Sequence, residues 1–144
     1  MILIDANLLI YAHDTRSPLH DATCSWFNRV LAESRPVGLA WATLLAFLRI
    51  TTSSRALSSP LLPAEAVAVI DDLLQRPPVV LLQPSERHWP ILQRCLTDGQ
   101  AAGDLITDAH LAALAIEHGA VLCTTDRDFA RFPGLRWENP LEQR

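Results

Sequence analysis

GDLITDAHLAALAIEHG, residues 103–119, is the stretch on which the reading of this chain turns. At about 3.6 residues per turn, one face carries Asp104, Thr107, Asp108, Leu111, Ala112 and Ala115. The later half of that face is apolar and belongs against a core. The first turn sets two carboxylates in line with the same stripe. An ionised carboxylate turned inward is costly unless it is paired, hydrogen-bonded or bound to a cation. Acids in a first turn also satisfy free N–H groups and suit the helix dipole. The stretch alone leaves both readings open, and the rest of the chain has to decide.

On the C-terminal side, Gly119 ends the helix as a C′ glycine. Ala120 to Thr124 then reads as a buried strand that ends in Thr125-Asp126, and a short helical turn runs through Phe129 to Phe132. Pro133-Gly134 turns the chain into a final strand, Leu135-Arg136-Trp137. On the N-terminal side, Gln100 to Gly103 is a small-residue loop, preceded by a helix from Ser85 to near Gly99. Val79 to Leu82 is a strand near a sheet edge, and Pro77-Pro78 stops a helix opened by Pro63. Ser53 to Pro60 is a polar loop after a helix at Trp41 to Thr52, itself preceded by a strand at Val37 to Ala40. Ser17-Pro18 starts a helix that runs to about Glu33. Ile2-Leu3-Ile4 is a buried strand ending in Asp5-Ala6-Asn7, with a short helix from Leu8 to Ala12.

Strands alternating with helices predict an α/β chain, with a parallel sheet covered on both faces. In such folds the working crevice lies beyond the carboxyl ends of the strands. Asp5 ends the first strand, Asp126 ends the Val121 strand, and Asp108 starts the helix that feeds the latter. Three acids distant in sequence thus meet at one edge.

Length and composition bound what this edge can do. With 144 residues, 49% hydrophobic and 19% charged, the chain is expected to form one globular domain with a real core. No apolar run is long enough to span a membrane. MILIDANLLIYAHD lacks a basic leader region and contains Asp5, so it reads as strand into helix rather than signal peptide, and a cytoplasmic location is expected. Cys24, Cys95 and Cys123 form no paired motif and read as free buried thiols. A formal charge of −4 argues against a broad basic surface but not a local one. All 12 basic residues are Arg, so Lys is absent from any mechanism. There is no internal repeat, linker or low-complexity tract.

Close carboxylates raise one another's pKa unless a cation sits among them. Oxygen-only ligands suit Mg²⁺ or Mn²⁺. A hydrated divalent ion in such a cleft activates water and neutralises developing phosphoryl charge. With no Lys, no triad and no phosphate-cradling glycine loop, metal-assisted phosphodiester hydrolysis is the simplest chemistry these residues support.

Ile4-Asp5-Ala6-Asn7, Thr107-Asp108-Ala109-His110-Leu111-Ala112-Ala113 and Thr124-Thr125-Asp126-Arg127-Asp128-Phe129 resemble the three signatures of PIN-domain ribonucleases. The resemblance is greatest to VapC toxins of VapBC toxin–antitoxin systems, particularly the mycobacterial type. Trp41 to Thr52 and the closing Phe132-Pro133-Gly134-Leu135 share that character. Each motif is weak alone; the three in order, across essentially the whole chain, are specific. The resemblance implies a three-layer α/β/α, Rossmann-like fold over residues 1–144 as a single PIN domain, with a central parallel sheet of about four to five strands. It implies Mg²⁺ or Mn²⁺, endoribonuclease action on tRNA or ribosomal RNA, a homodimer, and a cognate VapB-like antitoxin that blocks the active site. By motif, Asp5 and Asp108 would be the principal metal ligands, with Asp126 completing the site directly or through water. Asn7 and Thr125 would support the ligands or a phosphate by hydrogen bonds.

One departure stands out. Many PIN domains carry a Glu in the helix after the second strand, yet Ala40 to Thr52 contains no acid, and Leu44 or Ala46 stands in its place. Either Asp104 supplies the missing oxygens, or the site fills only when RNA brings its own negative charge. Asp104 also suits an N-cap. Asp128 has two readings of the same kind: an acid supporting the metal site, or the cap of the Phe129 helix.

The five histidines show no metal spacing. His110 stands about 100° round the helix from its neighbours in sequence, which points it toward solvent or an interface. Trp26, Trp41, Trp89 and Trp137 read as core or dimer contacts. Arg49, Arg55, Arg127 and Arg131 are candidates to line the cleft and hold RNA phosphates, since an acidic chain needs some local basic cluster to do so. Two other functions compete with a ribonuclease toxin. A phosphate-accepting receiver domain also places Asp at strand ends, but its chemistry relies on a Lys that is absent here. A catalytically weak PIN scaffold that binds RNA or a partner without cutting draws support from the missing Glu.

Overall fold

The computed structural model describes residues 1–142. Five short strands form one sheet: β1 (Ile2–Ile4), β2 (Val37–Leu39), β3 (Val79–Leu81), β4 (Val121–Cys123) and β5 (Trp137–Glu138). Their order is β3-β2-β1-β4-β5, and every neighbouring pair is parallel. Six helices cover it: α1 (Ala6–His13), α2 (His20–Ala32), α3 (Trp41–Thr51), α4 (Pro63–Gln75), α5 (His88–Asp98) and α6 (Leu105–Glu117). A short 3-10 helix spans Arg127–Arg131. Among the described residues no helix is long and apolar enough to cross a membrane.

Strand alternation divides the core in two. Ile2, Ile4, Val37, Leu39 and Cys123 pack on one face with residues of α1 to α4. Leu3 and Leu122 pack on the other face with α5, α6, Phe129 and Phe132. The result is the three-layer α/β/α architecture. The sheet layers approach closely at Gly38, where a Cβ would lie 2.8 Å from Leu82 Cδ1 and 3.0 Å from the Ile2 carbonyl.

Several boundaries differ from the sequence reading, each for a local reason. α1 begins at Ala6 because the Asp5 side chain caps it, accepting from Ala6 N at 2.7 Å. α2 begins at His20 rather than Ser17. Ser17 instead closes a turn, its Oγ accepting from Leu19 N and its carbonyl from His20 N. Ser85 does likewise before α5, accepting from Arg87 N through Oγ and from His88 N through its carbonyl. β5 starts at Trp137 because Leu135 N is still bonded to Phe132 O across the Pro133-Gly134 turn. The edge position of β3 matches the sequence reading.

The strand order reverses between β1 and β4. From β1 the chain builds outward through β2 and β3, then returns to add β4 and β5 on the other side. Their carboxyl ends therefore part helices in opposite directions and open a crevice at the switch point.

Candidate active site

The end of β1 and the end of β4 meet through one hydroxyl. Asp5 N donates to Cys123 O at 3.0 Å, which sets the two strand ends side by side. Thr124, fully buried, donates its proton to Asp5 Oδ2 at 2.7 Å. The Thr124 Oγ1 atom in turn accepts from Asp126 N at 3.0 Å and from Asn7 Nδ2 at 3.2 Å. One donor and two acceptor positions are the full capacity of a hydroxyl. Thr124 thus locks Asp5, Asn7 and the start of the 3-10 segment into one unit.

α6 supplies the opposing carboxylate. A cleft of about 190 Å³ has Asp5 and Ala6 on one wall and Thr107, Asp108 and Leu111 on the next. The third wall is α3, through Ala42, Thr43, Ala46 and Arg49. Thr43 is itself occupied, donating to Ile4 O at 3.1 Å. The acid missing from α3 is thereby located: Ala46 faces the cleft, whereas Leu44 is fully buried in the core.

The acids feel one another. Burial holds the Asp5 carboxyl above the usual carboxylate range, against the Thr124 hydroxyl and the Ala6 N–H, which pull it down; the Asp126 charge adds to the rise. Asp108 is pushed up to about 6, by burial first and then by the charges of Asp5, Asp126 and Asp128, with Arg131 opposing. Mutual repulsion of this kind is what a bound cation relieves. A further sign is the Asn7 Oδ1 atom, which is buried and has no hydrogen-bond partner. Buried acceptors are rarely left so. The donor set, carboxylates plus an amide oxygen, fits a hard divalent ion. Even so, among the described residues no three acids, histidines or cysteines lie close enough to hold an ion by themselves.

The remaining residues singled out in the sequence divide clearly. Asp126 stands beside the cleft; its Oδ1 accepts from Asp128 N at 2.9 Å and caps the 3-10 helix. Asp128 is therefore not the cap; its carboxylate is exposed and acts on Asp108 through charge. Asp104 occupies the N-cap position of α6 but is exposed, makes no side-chain capping bond and is not among the residues lining the cleft. The first turn of α6 is closed instead by tight backbone bonds, Leu105 N to Ala102 O and Ile106 N to Gly103 O. The supporting threonine is Thr124, not Thr125. Adjacent positions at a strand end point to opposite sides, and it is Thr124 that turns to Asp5. The sequence carried this signal, since Thr124 is one residue beyond the last β4 position and shares a side with Leu122.

Of the arginines, Arg49 lines the cleft and Arg131 influences Asp108. Arg131 is held by the Gly99 and Gln100 carbonyls at 3.1 and 3.5 Å. Arg127 pairs with Glu142 at 2.9 Å, and Arg55 is exposed away from the cleft lining. Trp26 is core, but Trp41 and Trp89 are 52% and 60% exposed. Cys95 and Cys123 are buried, Cys24 half-buried, and all are free thiols.

Of the two positions expected for His110, solvent or an interface, the structure gives a packed one, against α5. It is half-buried, its Nδ1 2.9 Å from His88 Nε2, while His88 Nδ1 lies 2.8 Å from Glu117 Oε2. The Glu117 side chain is 1% exposed and also accepts from Ser85 N at 2.9 Å. A carboxylate–imidazole–imidazole chain thus joins the start of α5 to α6. The spacing of His110 and Glu117, about two turns on one helix face, was the available sequence signal.

This architecture and site can be compared with known proteins. The PIN domain family model matches residues 2–135. Ribonuclease VapC37 of Mycobacterium tuberculosis is 42% identical over 140 residues, covering 97% of this chain and 97% of that protein. The solved structure of VapBC-1 from nontypeable Haemophilus influenzae is similar with a TM-score of 0.71 at 20% identity, over 99% of this chain and 100% of that one. Mycobacterium tuberculosis VapC20, described as a sarcin–ricin loop cleaving toxin, gives 0.65 at 13% identity, over 94% and 99%. The chain belongs to the PIN-domain family and, within it, to the VapC ribonucleases. It is accordingly a hydrolase of the toxin endoribonuclease type.

Proposed function

We propose that this chain is the toxin of a type II toxin–antitoxin pair, a single PIN domain that hydrolyses RNA phosphodiester bonds with Mg²⁺ or Mn²⁺. The observation that carries this reading is the pair Asp5 and Asp108, facing one cleft from different elements.

Asp5 and Asp108 would hold the ion, and Asp126 would contribute through water with the oxygen its capping bond leaves free. When bound, a divalent ion supplies an activated water and neutralises charge that develops on the phosphoryl group. The protein's own part is positioning. Thr124 fixes the Asp5 rotamer, and its buried hydroxyl opposes the upward shift that burial imposes on the carboxyl. No histidine, serine or cysteine lines the cleft and the Thr43 hydroxyl is committed to the Ile4 carbonyl, which supports water as the nucleophile. Arg49, which lines the cleft, would donate to the substrate phosphate.

The substrate class is structured RNA, tRNA or ribosomal RNA; VapC20, which shares the fold, is described as cutting the sarcin–ricin loop. The partner is a VapB-like antitoxin, a reading supported by the VapC kinship and by the likeness to a VapBC structure, and the chain would act as a homodimer. A cytoplasmic site of action accords with that substrate.

The test is cleavage of total RNA by purified protein with Mg²⁺, against Asp5→Ala and Asp108→Ala. The wild type cuts and both variants lose activity. Unchanged activity in the two variants removes the proposed site.

A further inference from the structure

The cleft is asymmetric in charge. Two walls carry the carboxylates of Asp5 and Asp108. The α3 wall carries none: Ala42 and Ala46 offer methyl groups, and the Thr43 hydroxyl is committed to the Ile4 carbonyl. One turn beyond Ala46, Arg49 brings a guanidinium to the same cleft. No ion pair or hydrogen bond to the protein engages it among the described residues. A cation entering alone would meet two carboxylates and a fixed positive charge. A cation entering with a phosphodiester would gain the phosphate oxygens that the α3 wall does not supply, and Arg49 would gain the anionic partner it lacks. Arg is suited to the last of these contacts, because its fork matches phosphate oxygens in pairs.

Resting on the metal-dependent reading above, we propose that the divalent ion and an RNA phosphate occupy this cleft as a coupled pair, with Arg49 as the phosphate contact and Ala46 as the origin of the coupling. A carboxylate at position 46 would complete the ion's ligands and neutralise Arg49 at once, making the phosphate dispensable for metal binding. The methyl group leaves both tasks to the substrate. Coupling between two ligands is reciprocal, so the ion must tighten phosphate binding by the same factor as phosphate tightens the ion. The protein is then charged with metal only where RNA is already present.

The experiment titrates Mn²⁺ into the purified full chain, reading free Mn²⁺ by electron paramagnetic resonance. It is run alone, with adenosine 5′-monophosphate, and with adenosine as the phosphate-free control. Mn²⁺ held by the nucleotide itself is subtracted from a protein-free titration. Adenosine 5′-monophosphate is expected to tighten Mn²⁺ binding about tenfold, in the usual range for coupled sites, and adenosine to leave it unchanged. Arg49→Ala is expected to cut the nucleotide effect to within about twofold without weakening Mn²⁺ binding alone. Ala46→Glu is expected to bind Mn²⁺ tightly without nucleotide and to gain little from it; Ala46→Asp serves if the longer side chain prevents folding, judged by circular dichroism. A wild type indifferent to the nucleotide, or an Arg49→Ala protein with the full effect, overturns the coupling. If Asp5-dependent RNA cleavage persists in that case, the ribonuclease reading stands without it. If that cleavage is absent as well, the ribonuclease reading fails and the coupling with it.

Discussion

Asp108→Asn is expected to make the metal-free protein more stable at neutral pH while abolishing RNA cleavage. Burial, then the charges of Asp5, Asp126 and Asp128, lift the Asp108 carboxyl from 3.8 to about 6. The folded state therefore holds this proton more tightly than the unfolded chain. The stabilisation that results is complete below pH 3.8 and is lost as pH rises through about 6, so the metal-free wild type weakens across that window. At about 1.4 kcal/mol per pKa unit the ceiling is about 3 kcal/mol. Asp108 is only half-buried, and solvent screening reduces this to about 1 kcal/mol. Asn resembles the protonated carboxyl and retains the favourable state at every pH. The assay is urea unfolding in chelator, at neutral pH and near pH 4. The variant should gain about 1 kcal/mol at neutral pH and nothing at the acid end. Added Mg²⁺ should stabilise the wild type and not the variant, because only a ligand of the folded state raises its stability. A variant no more stable than wild type at neutral pH, with an unchanged slope between the two pH values, would refute the reasoning.

Thr124→Val removes one bond to a carboxylate and two neutral bonds; it should cost about 2–3 kcal/mol in chemical unfolding and move the acid limb of the cleavage profile upward. Thr125→Val should change neither quantity measurably. Gly99→Ala would put a Cβ 2.6 Å from the Cys95 carbonyl and 2.7 Å from Phe132 Cδ1. Its φ of −81° is ordinary, so the expected loss of about 2 kcal/mol in thermal unfolding is one of space alone. Glu117→Ala leaves His88 and the Ser85 amide facing an empty site. It should cost about 3 kcal/mol and accelerate hydrogen exchange at Ser85, which an intact amide bond would leave slow.

The fold was legible because β1, β3 and β4 are apolar runs closed by an acid or a turn, and the helices between them carry apolar residues at helical spacing. The acids at strand ends were legible for the same reason, since a parallel sheet gathers the carboxyl ends of its strands on one edge. What the sequence hid depended on side-chain direction and on partners far along the chain. Thr124 and Thr125 are adjacent and chemically alike; only the β1–β4 register, with Ile4 opposite Cys123, decides which of them reaches Asp5. Asp104 resembled a cap, but backbone bonds from the Gly103 turn took its place. His110 could be read from α6 alone as facing either solvent or an interface, because the helix that covers it begins 22 residues earlier.

The two ends of α6 explain why a half-buried carboxylate can be held in a fixed position at all. At its start the helix presents Asp108 to a cleft where like charges oppose it. Among the described residues no hydrogen bond or ion pair ties that carboxylate down; burial and neighbouring charges act on it. At the other end Glu117 is buried and bound to His88 and to the Ser85 amide, and Arg87 donates to the Glu117 carbonyl at 2.6 Å. Between them Ala109 and Leu111 to Ala115 are buried without a gap. Small side chains over this span bring the helix close to the sheet and to α5, and close packing resists rotation about the helix axis. The repulsion at Asp108 is thus borne by a helix anchored about 13 Å away, at the rise of 1.5 Å per residue. Strain at a functional site persists only where the surrounding structure over-determines it. Here the over-determination comes from the Glu117–His88 end, which places a polar network with no share in the cleft among the conditions for the chemistry.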